Sequence, residues 1–324
     1  MEISVVATVK NEGEEIENFL NSLFNQSLKA KEIKIVDGGS TDNTVEKLKK
    51  FKEKMPNLNI EIKRGFNISK GRNFAIKNCD TELIAVTDGG VELEKDWLEN
   101  LFDSFKYNKD AEVVGGLSLP LCKSWFERTI SCLFMPQVNE INPKKFMPSS
   151  RSIAFKKEVW EKAGGYSEEL YVGEDMFFNF KLKNLGYNII FNPRAVVFWK
   201  MRSDIFQLFK QYFRYAFGDG FANMFFYRHA LRFFVYISLI LLILVFLLTR
   251  NFIFLLIPLP FAIFYLRKVY ARSIKTFKKE TFWKMFFAWI AFPFLQFLID
   301  IAKMVGYISG SIKRKKVFVI LKER

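Results

Sequence analysis

The feature that most constrains this chain is an apolar stretch long enough to cross a membrane. Residues 233–249 contain no charged side chain, and Leu231 extends the run close to the roughly 20 residues that a helix needs to span the hydrocarbon of a bilayer. A second apolar stretch, residues 252–266, is shorter and contains two prolines, which kink a helix. We expect the two stretches to form a transmembrane hairpin over residues 231–266.

The charge is also unevenly distributed. Lys and Arg exceed Asp and Glu by 15, but residues 1–200 hold 29 of each, so the whole excess lies in residues 201–324. The basic side chains cluster in residues 267–279 and 313–316, on either side of a third apolar stretch, residues 285–312. The positive-inside rule places the first cluster in the cytoplasm. The third stretch can span, or it can be re-entrant or interfacial, which keeps the basic tail inside.

A charge excess that flanks apolar helices indicates membrane anchoring rather than nucleic-acid binding, because the remainder of the chain is neutral. We therefore expect a multi-pass protein of the cell membrane with no nucleic-acid partner. The predicted domains are a catalytic domain over residues 1–200, interfacial amphipathic helices over 201–230, the hairpin over 231–266, and a basic loop, third apolar helix and basic cytosolic tail over 267–324.

The first 200 residues are long enough for one domain with a full hydrophobic core. The three cysteines of the chain form no CxxC pair, which argues against a disulfide framework and a thiolate zinc site. The single histidine, His229, excludes Ser-His-Asp and HExxH chemistry from this domain. A strand-like run begins directly after Glu2, so we expect no signal peptide and a cytosolic domain that works with carboxylates.

Short β-branched runs alternate with amphipathic stretches over the first hundred residues. The predicted strands are residues 3–9, 33–36, 60–62 and 83–87, and the predicted helices are residues 14–23, 44–51, 70–78 and 96–105. Four such alternations indicate an α/β fold with a mostly parallel, doubly wound sheet. Ligands of such sheets bind beyond the carboxyl ends of the strands.

Polar clusters that each contain an acid follow three of these predicted strands. They begin at Lys10, Asp37 and Asp88, and neither a GxGxxG nor a GxxxxGK[ST] motif accompanies them. Carboxylates at this edge can bind a base or ribose, or hold a diphosphate through Mg²⁺ or Mn²⁺. For Asp42 we favour the simpler role of capping the next helix, whereas Asp37 and Asp88 end apolar strands and are candidates for ligand binding.

Five motifs, in order, resemble the inverting family-2 glycosyltransferases of the Rossmann-like GT-A fold. They are Val9-Lys10-Asn11-Glu12, Val36-Asp37-Gly38-Gly39-Ser40-Thr41-Asp42, Gly71-Arg72-Asn73, Thr87-Asp88-Gly89-Gly90, and Gly164-Gly165-Tyr166 continuing to Gly173-Glu174-Asp175. The match extends from Ile3 to about Trp199. The resemblance implies a nucleotide-sugar donor, UDP- or GDP-linked, with Glu12 and Asp37 near base and ribose and Arg72 near the nucleotide.

The resemblance also makes Asp88 the first acid of a DxD metal motif and implies a Mg²⁺ or Mn²⁺ cofactor. This chain departs from the family because Gly90 stands where the second acid is expected. One carboxylate with diphosphate oxygens and waters can still hold such an ion. Glu92 is an alternative ligand, although it fits a solvated position equally well.

The second acidic pair, Glu174-Asp175, begins a predicted helix. Acids at a helix N-terminus interact favourably with the helix dipole, so capping is one explanation of the pair. The resemblance makes Asp175 the general base, with Glu174 beside it in the catalytic centre. Asp175 would accept the proton of the acceptor hydroxyl as that hydroxyl attacks the anomeric carbon of the sugar.

Further candidates concern the acceptor or the diphosphate. Arg151 lies in a segment where the family often lines that pocket. Gln211, Arg214 and Tyr215 match the family's Q-x-x-R-W motif, with Tyr in place of Trp. The same segment also fits a simple interfacial amphipathic helix.

These features predict a membrane-anchored inverting glycosyltransferase that uses a nucleotide-diphospho-sugar and a lipid-linked, polyprenyl-type saccharide acceptor on the cytosolic face. The anchor is the reason for the acceptor, since it holds the active site near the headgroups. The alternatives are a polyprenyl-phosphate glycosyltransferase, a processive polysaccharide synthase, and a non-catalytic nucleotide-sugar-binding membrane module. A transporter is disfavoured because no acidic residue lies in the predicted hairpin.

Overall fold

The computed structural model describes residues 1–314, which form two compact units. The first unit consists of Met1–Leu121 and Val138–Lys200, and the second consists of Cys122–Gln137 and the described residues from Met201 onward. The sequence assigned residues 1–200 to one domain, whereas the structure groups residues 122–137 with the C-terminal helices. The last part of the predicted basic tail, residues 315–324, lies outside the described residues.

The first unit contains eight strands and six of the helices. In chain order they are β1 (Ile3–Val9), α1 (Ile16–Phe24), β2 (Glu32–Asp37), α2 (Thr44–Lys52), β3 (Leu58–Ile62), α3 (Ile68–Lys77), β4 (Leu83–Asp88), β5 (Val91–Leu93), α4 (Trp97–Tyr107), β6 (Val113–Leu121), β7 (Ile153–Lys156), α6 (Lys157–Lys162), α7 (Glu174–Asn184) and β8 (Ile189–Lys200). Helix α5 (Trp125–Phe134), between β6 and β7 in the chain, belongs to the second unit. Two 3₁₀ turns, Val138–Glu140 and Pro143–Lys145, lie between β6 and β7.

The strands form one sheet in the order β3-β2-β1-β4-β7-β6-β8-β5. The four strands predicted from the sequence are mutually parallel, as is the β6–β8 pair, whereas β7 is antiparallel to both neighbours and β5 is antiparallel to β8. The prediction of an α/β GT-A fold is confirmed, and the sheet is mixed. Strand β7 coincides with the strand-like run Ile153-Ala154-Phe155 of the sequence, whereas β5 was not predicted because it is only three residues long.

The alternation of strands and helices covers both faces of the sheet. Strands β1 and β4 are buried along almost their entire length, which is why they read as continuous apolar runs. One apolar core lies under α1, α2 and α4, and a second lies under α3, α6 and α7. The parallel strands β1, β2 and β4 therefore end at the same edge of the sheet, where their loops meet.

The second unit is helical. It contains α5 (Trp125–Phe134), α8 (Ile205–Phe221), α9 (Phe226–Thr249), the short α10 (Ile253–Leu256), α11 (Pro258–Thr276) and α12 (Phe282–Ile312). Within residues 1–314, three helical segments are long and apolar enough to cross a membrane, namely Phe226–Thr249, Ile253–Thr276 and Phe282–Ile312. The predicted C-terminal membrane region is consistent with this composition.

Helix α8 packs closely along α12. A Cβ atom on Gly306 or Gly310 of α12 would overlap the carbonyl oxygen of Phe213 or Phe217, respectively, on α8. A Cβ atom on Gly220 of α8 would likewise overlap the backbone of α12. Glycines spaced four residues apart allow two helix backbones to approach in this way.

Candidate active site

Arg72 is the centre of the charged cluster at the ligand edge of the first unit. Its side chain is 1% exposed and projects from α3 between two acids. Its Nη1 atom donates to Glu174 Oε1 at 2.6 Å, and its Nη2 atom donates to Asp88 Oδ1 at 2.5 Å. The guanidinium also lies over the ring of Tyr166, 5.2 Å from its centroid. Burial alone would lower the pKa of Arg72. The neighbouring acids, Asp88 more than Glu174, raise this pKa instead and keep the guanidinium cationic.

Asp88 lies next to two cations, Arg72 and Arg151. It ends β4, and its second carboxyl oxygen, Oδ2, lies 3.8 Å from Nε of Arg151. The Arg151 guanidinium lies over the indole ring of Trp199, 3.8 Å from its centroid, and donates to Ser149 Oγ at 3.0 Å. The structure thus brings together four predicted site residues, Arg72, Asp88, Arg151 and Glu174.

The two acids that begin α7 have different environments. Glu174 is buried and bonded to Arg72, whereas Asp175 is half-buried and its Oδ1 accepts the N–H of Met176 at 2.8 Å. Burial raises the pKa of Glu174 to about 7, Arg72 opposes this increase, and the charge of Asp175 adds to it. Gly173 precedes the helix with φ of 80°, a backbone conformation that favours glycine. Glu174 therefore fixes the loop, and Asp175 is the acid with exposed surface.

Asp37 shapes a turn. Its Oδ1 accepts the N–H groups of Gly39 and Ser40, each at 2.9 Å, and its Oδ2 accepts the Ser40 hydroxyl. The Asp37 side chain is fully buried by these contacts. A role for Asp37 at the base or ribose stays a prediction, since this geometry is explained by the turn alone.

Asp42 has the capping role that the sequence favoured. Its Oδ1 accepts the N–H and the hydroxyl of Thr44 at the start of α2, and its Oδ2 accepts the N–H of Gly13 at 3.0 Å. These hydrogen bonds lower the pKa of Asp42, the one from the Thr44 hydroxyl most. They also tie the loop after β1 to the loop after β2.

The chemistry of the acids at this edge is compatible with the divalent cation that the resemblance implies. Across residues 1–314 no three His, Cys, Asp or Glu side chains converge into a metal-binding group. Asp88 is one oxygen donor. Gly90 borders Glu12, because a Cβ atom on Gly90 would stand 3.2 Å from Glu12 Oε2. Mg²⁺ and Mn²⁺ accept one or two carboxylates when phosphate oxygens and waters complete the shell.

The predicted residues Gln211, Arg214 and Tyr215 lie on α8 in the second unit. Gln211 is buried, accepts from Arg202 Nε at 2.8 Å and donates to the Tyr215 hydroxyl at 3.0 Å. Arg214 is exposed. The motif therefore organises the surface of α8, and its role toward a diphosphate or acceptor stays a prediction.

Sequence reasoning did not assign two aromatic residues of the site. Tyr166 lies under Arg72, and its hydroxyl hydrogen-bonds with Ser150 Oγ at 3.0 Å, while Trp199 lies under Arg151. Tyr166 belongs to the Gly164-Gly165-Tyr166 motif, but its side chain could be matched to Arg72 only through the fold. Trp199 precedes the end of β8, and nothing in the sequence pairs it with Arg151.

Comparison with known families shows to which family this chain belongs. The family model described as glycosyl transferase family 2 matches residues 4–163, and the one described as glycosyl transferase family group 2 matches residues 91–298. The chain belongs to glycosyltransferase family 2. The predicted family and enzyme class are thereby confirmed, and an inverting reaction is consistent with this membership.

Two curated proteins are similar in sequence to this family-2 glycosyltransferase. Glycosyltransferase AglE of Haloferax volcanii is 28% identical over 58% of this chain and 64% of its own length. Poly-beta-1,6-N-acetyl-D-glucosamine synthase of Staphylococcus epidermidis is 26% identical over 67% of this chain and 54% of its own length. The matched region thus spans about half to two thirds of these relatives.

Solved structures share the GT-A fold of this family-2 glycosyltransferase. The mannosyltransferase PcManGT from Pyrobaculum calidifontis, solved with GDP-Man and Mn²⁺, has a TM-score of 0.57 at 17% identity, covering 95% of this chain and 86% of its own. Residues 1–349 of TarS from S. aureus, solved with UDP-GlcNAc, have a TM-score of 0.51 at 19% identity, covering 67% of this chain and 66% of their own.

Proposed function

We propose that this enzyme is a membrane-anchored inverting glycosyltransferase that transfers a sugar from a nucleotide-diphospho-sugar to a lipid-linked saccharide on the cytosolic face. The observation that carries the proposal is the cluster of Arg72, Asp88 and Glu174 with the half-exposed Asp175 next to it. Cations at this edge suit a diphosphate, and a carboxylate with exposed surface suits a general base.

Two further observations support the donor and the acceptor. The neighbours PcManGT and TarS were solved with GDP-Man and UDP-GlcNAc, respectively, which favours a nucleotide-sugar donor and leaves the choice between UDP and GDP open. The same chain carries helices that are long and apolar enough to span a membrane. An acceptor with a polyprenyl-type anchor would be held in the same membrane as such helices.

Asp175→Asn tests the proposed base. In this variant we expect kcat to fall by roughly 10²- to 10⁴-fold, because the amide cannot accept the acceptor's proton. The dissociation constant of the donor should be unchanged, since Asp175 acts on the acceptor. The measurement is nucleotide release from a panel of UDP- and GDP-sugars by full-length protein in detergent with Mn²⁺ and a membrane lipid extract, followed by analysis of the labelled lipid product.

Asp110→Asn is the matched control, because Asp110 is an exposed acid in the loop before β6, and it should retain full activity. Full activity of Asp175→Asn, or its turnover on bare polyprenyl phosphate, would contradict the base. A long water-soluble polymer as product would contradict the lipid-linked acceptor. Donor binding without turnover of any acceptor would favour a binding module.

A further inference from the structure

The second acid of the metal motif is absent at position 90, but another carboxylate lies next to that position. The three atoms nearest to a Cβ atom built on Gly90 all belong to the Glu12 carboxylate, with Oε2 at 3.2 Å, Cδ at 3.7 Å and Oε1 at 3.8 Å. A side chain at position 90 would therefore point at the carboxylate of Glu12. We propose that Glu12, reaching over from the loop after β1, takes the place of that acid and holds a divalent cation together with Asp88.

The backbone of Glu12 is fixed in a way that suits a ligand. Its N–H donates to Thr44 Oγ1 at 2.9 Å, and its carbonyl oxygen accepts from Glu15 N at 2.9 Å and from Ile16 N at 2.7 Å. Thr44 is itself held by Asp42. The Cα atom of Glu12 is thus anchored to the starts of both α1 and α2.

The sheet brings the loop of Glu12 next to Asp88. Strand β1 pairs with β4 in parallel register, and Thr8 lies opposite Asp88. Strand β1 ends at Val9, one residue after this pair, and Glu12 lies three residues further along the chain. Two carboxylates that are far apart in sequence therefore belong to neighbouring strand ends.

The donor set fits a hard cation. Two carboxylates with phosphate oxygens and waters are a ligand set that Mg²⁺ and Mn²⁺ accept. A cation here would also compete with Arg72 and Arg151 for Asp88, which now has one oxygen 2.5 Å from Arg72 and the other 3.8 Å from Arg151. Once bound, such an ion supplies charge that neutralises the diphosphate. The proposal rests on the proposed function only through the nature of that diphosphate.

The first test measures Mn²⁺ binding to the full-length protein through the electron paramagnetic resonance signal of free Mn²⁺. The measurement is made without nucleotide and with UDP or GDP. Glu12→Gln keeps the shape of the side chain and removes its charge. We expect it to weaken Mn²⁺ binding at least about tenfold, the lower end of what loss of a supporting group costs a metal site. Affinity for UDP or GDP measured in EDTA should be unchanged.

The second test moves the carboxylate. Glu12→Ala should lose Mn²⁺ binding like Glu12→Gln, and the double variant Glu12→Ala/Gly90→Asp should recover it, because the new acid enters the space that Glu12 left. Glu92→Gln tests the alternative ligand, since Glu92 is a half-buried acid on β5 close to Gly90 in sequence; if Glu12 is the ligand, this variant should bind Mn²⁺ as the wild type does. Thermal unfolding of each variant establishes that it is folded.

Three results would overturn the inference. One is wild-type Mn²⁺ affinity in a folded Glu12→Gln variant. Another is a Glu12→Gln variant that loses nucleotide affinity in EDTA, which would give Glu12 the base or ribose role instead. The third is a wild type that binds no Mn²⁺ with either nucleotide. If sugar transfer nevertheless proceeds in EDTA in that last case, the proposed function stands and only the metal assignment fails.

Discussion

At the scale of single residues, the Arg72 guanidinium faces more negative charge than it can neutralise. Asp88 and Glu174 both contact it, and Asp175 follows Glu174 in the chain. Glu174 is the most buried of the three acids, so it carries the greatest cost of ionisation. The cluster is consequently sensitive to the protonation of one carboxyl group.

This sensitivity predicts a pH dependence of stability. The pKa of Glu174 is raised by burial to about 7, above the ordinary 4.5 of an unfolded chain. Between these two pKa values the folded protein binds more protons than the unfolded chain. The free energy of unfolding that protonated Glu174 contributes is therefore fully present below pH 4.5 and is lost as the pH rises through about 7. Thermal unfolding should show the wild type losing stability relative to Glu174→Gln across that interval, and the two should converge at low pH.

The exposed Glu161→Gln serves as control for this prediction and should follow the wild type at every pH. Parallel pH profiles of wild type and Glu174→Gln would show that Glu174 stays ionised throughout. The charges involved could be read from the sequence as motif residues. Their pairing could not, because Arg72 and Glu174 are 102 positions apart and meet only through the packing of α3 against the loop before α7.

At the scale of elements, the contact of α8 with α12 depends on positions without side chains. Gly310→Ala would place a methyl group into the carbonyl oxygen of Phe217, a backbone atom that cannot swing aside. We expect the two helices to be forced apart at a cost of about 1–3 kcal/mol, as for other overpacked contacts. A lower temperature of thermal unfolding in detergent would report this.

The control for the glycine contact is Ile308→Ala, which shortens a side chain on the exposed face of the same helix and should unfold like the wild type. An unchanged unfolding temperature for Gly310→Ala would mean that α8 and α12 do not rely on this approach. The uncharged apolar run predicted α9, and apolar periodicity predicted the first four strand–helix pairs. It did not predict this contact, since a glycine contributes nothing to a hydrophobic pattern.

At the scale of the whole chain, the composition of α12 and its packing suggest different membrane topologies. Length and hydropathy allow α12 to span. Within the second unit, however, Tyr307 near its C-terminal end stacks on His229 in the first turn of α9, with ring centroids 4.0 Å apart. Near its other end, Trp289 Nε1 donates to Ser273 Oγ in the last turn of α11 at 2.8 Å. These two contacts are about 27 Å apart along the helix.

The contacts of the middle of α12 agree with this arrangement. Asp300 accepts from Arg232 Nε at 2.8 Å, and Gln296 donates to the Tyr265 hydroxyl at 3.2 Å, both further along the arms of the hairpin. The exposed face of α12 is an apolar stripe at helical spacing, consisting of Trp283, Phe287, Ile290, Phe294, Phe297, Val305, Ile308 and Ile312. Helix α12 therefore crosses between the two open ends of the hairpin, with one apolar face for lipid.

We accordingly expect both ends of α12 on the same side of the membrane, with only the hairpin spanning it. Single cysteines at Lys279, Lys313 and Asn251, in a chain whose native cysteines are replaced by alanine, can be labelled with a membrane-impermeant maleimide in sealed vesicles of either orientation. Positions 279 and 313 should label from the cytosolic side, and position 251, between the arms, from the other side. Labelling of position 313 together with position 251 would instead mean three spans and a basic C-terminal end outside, against the charge rule.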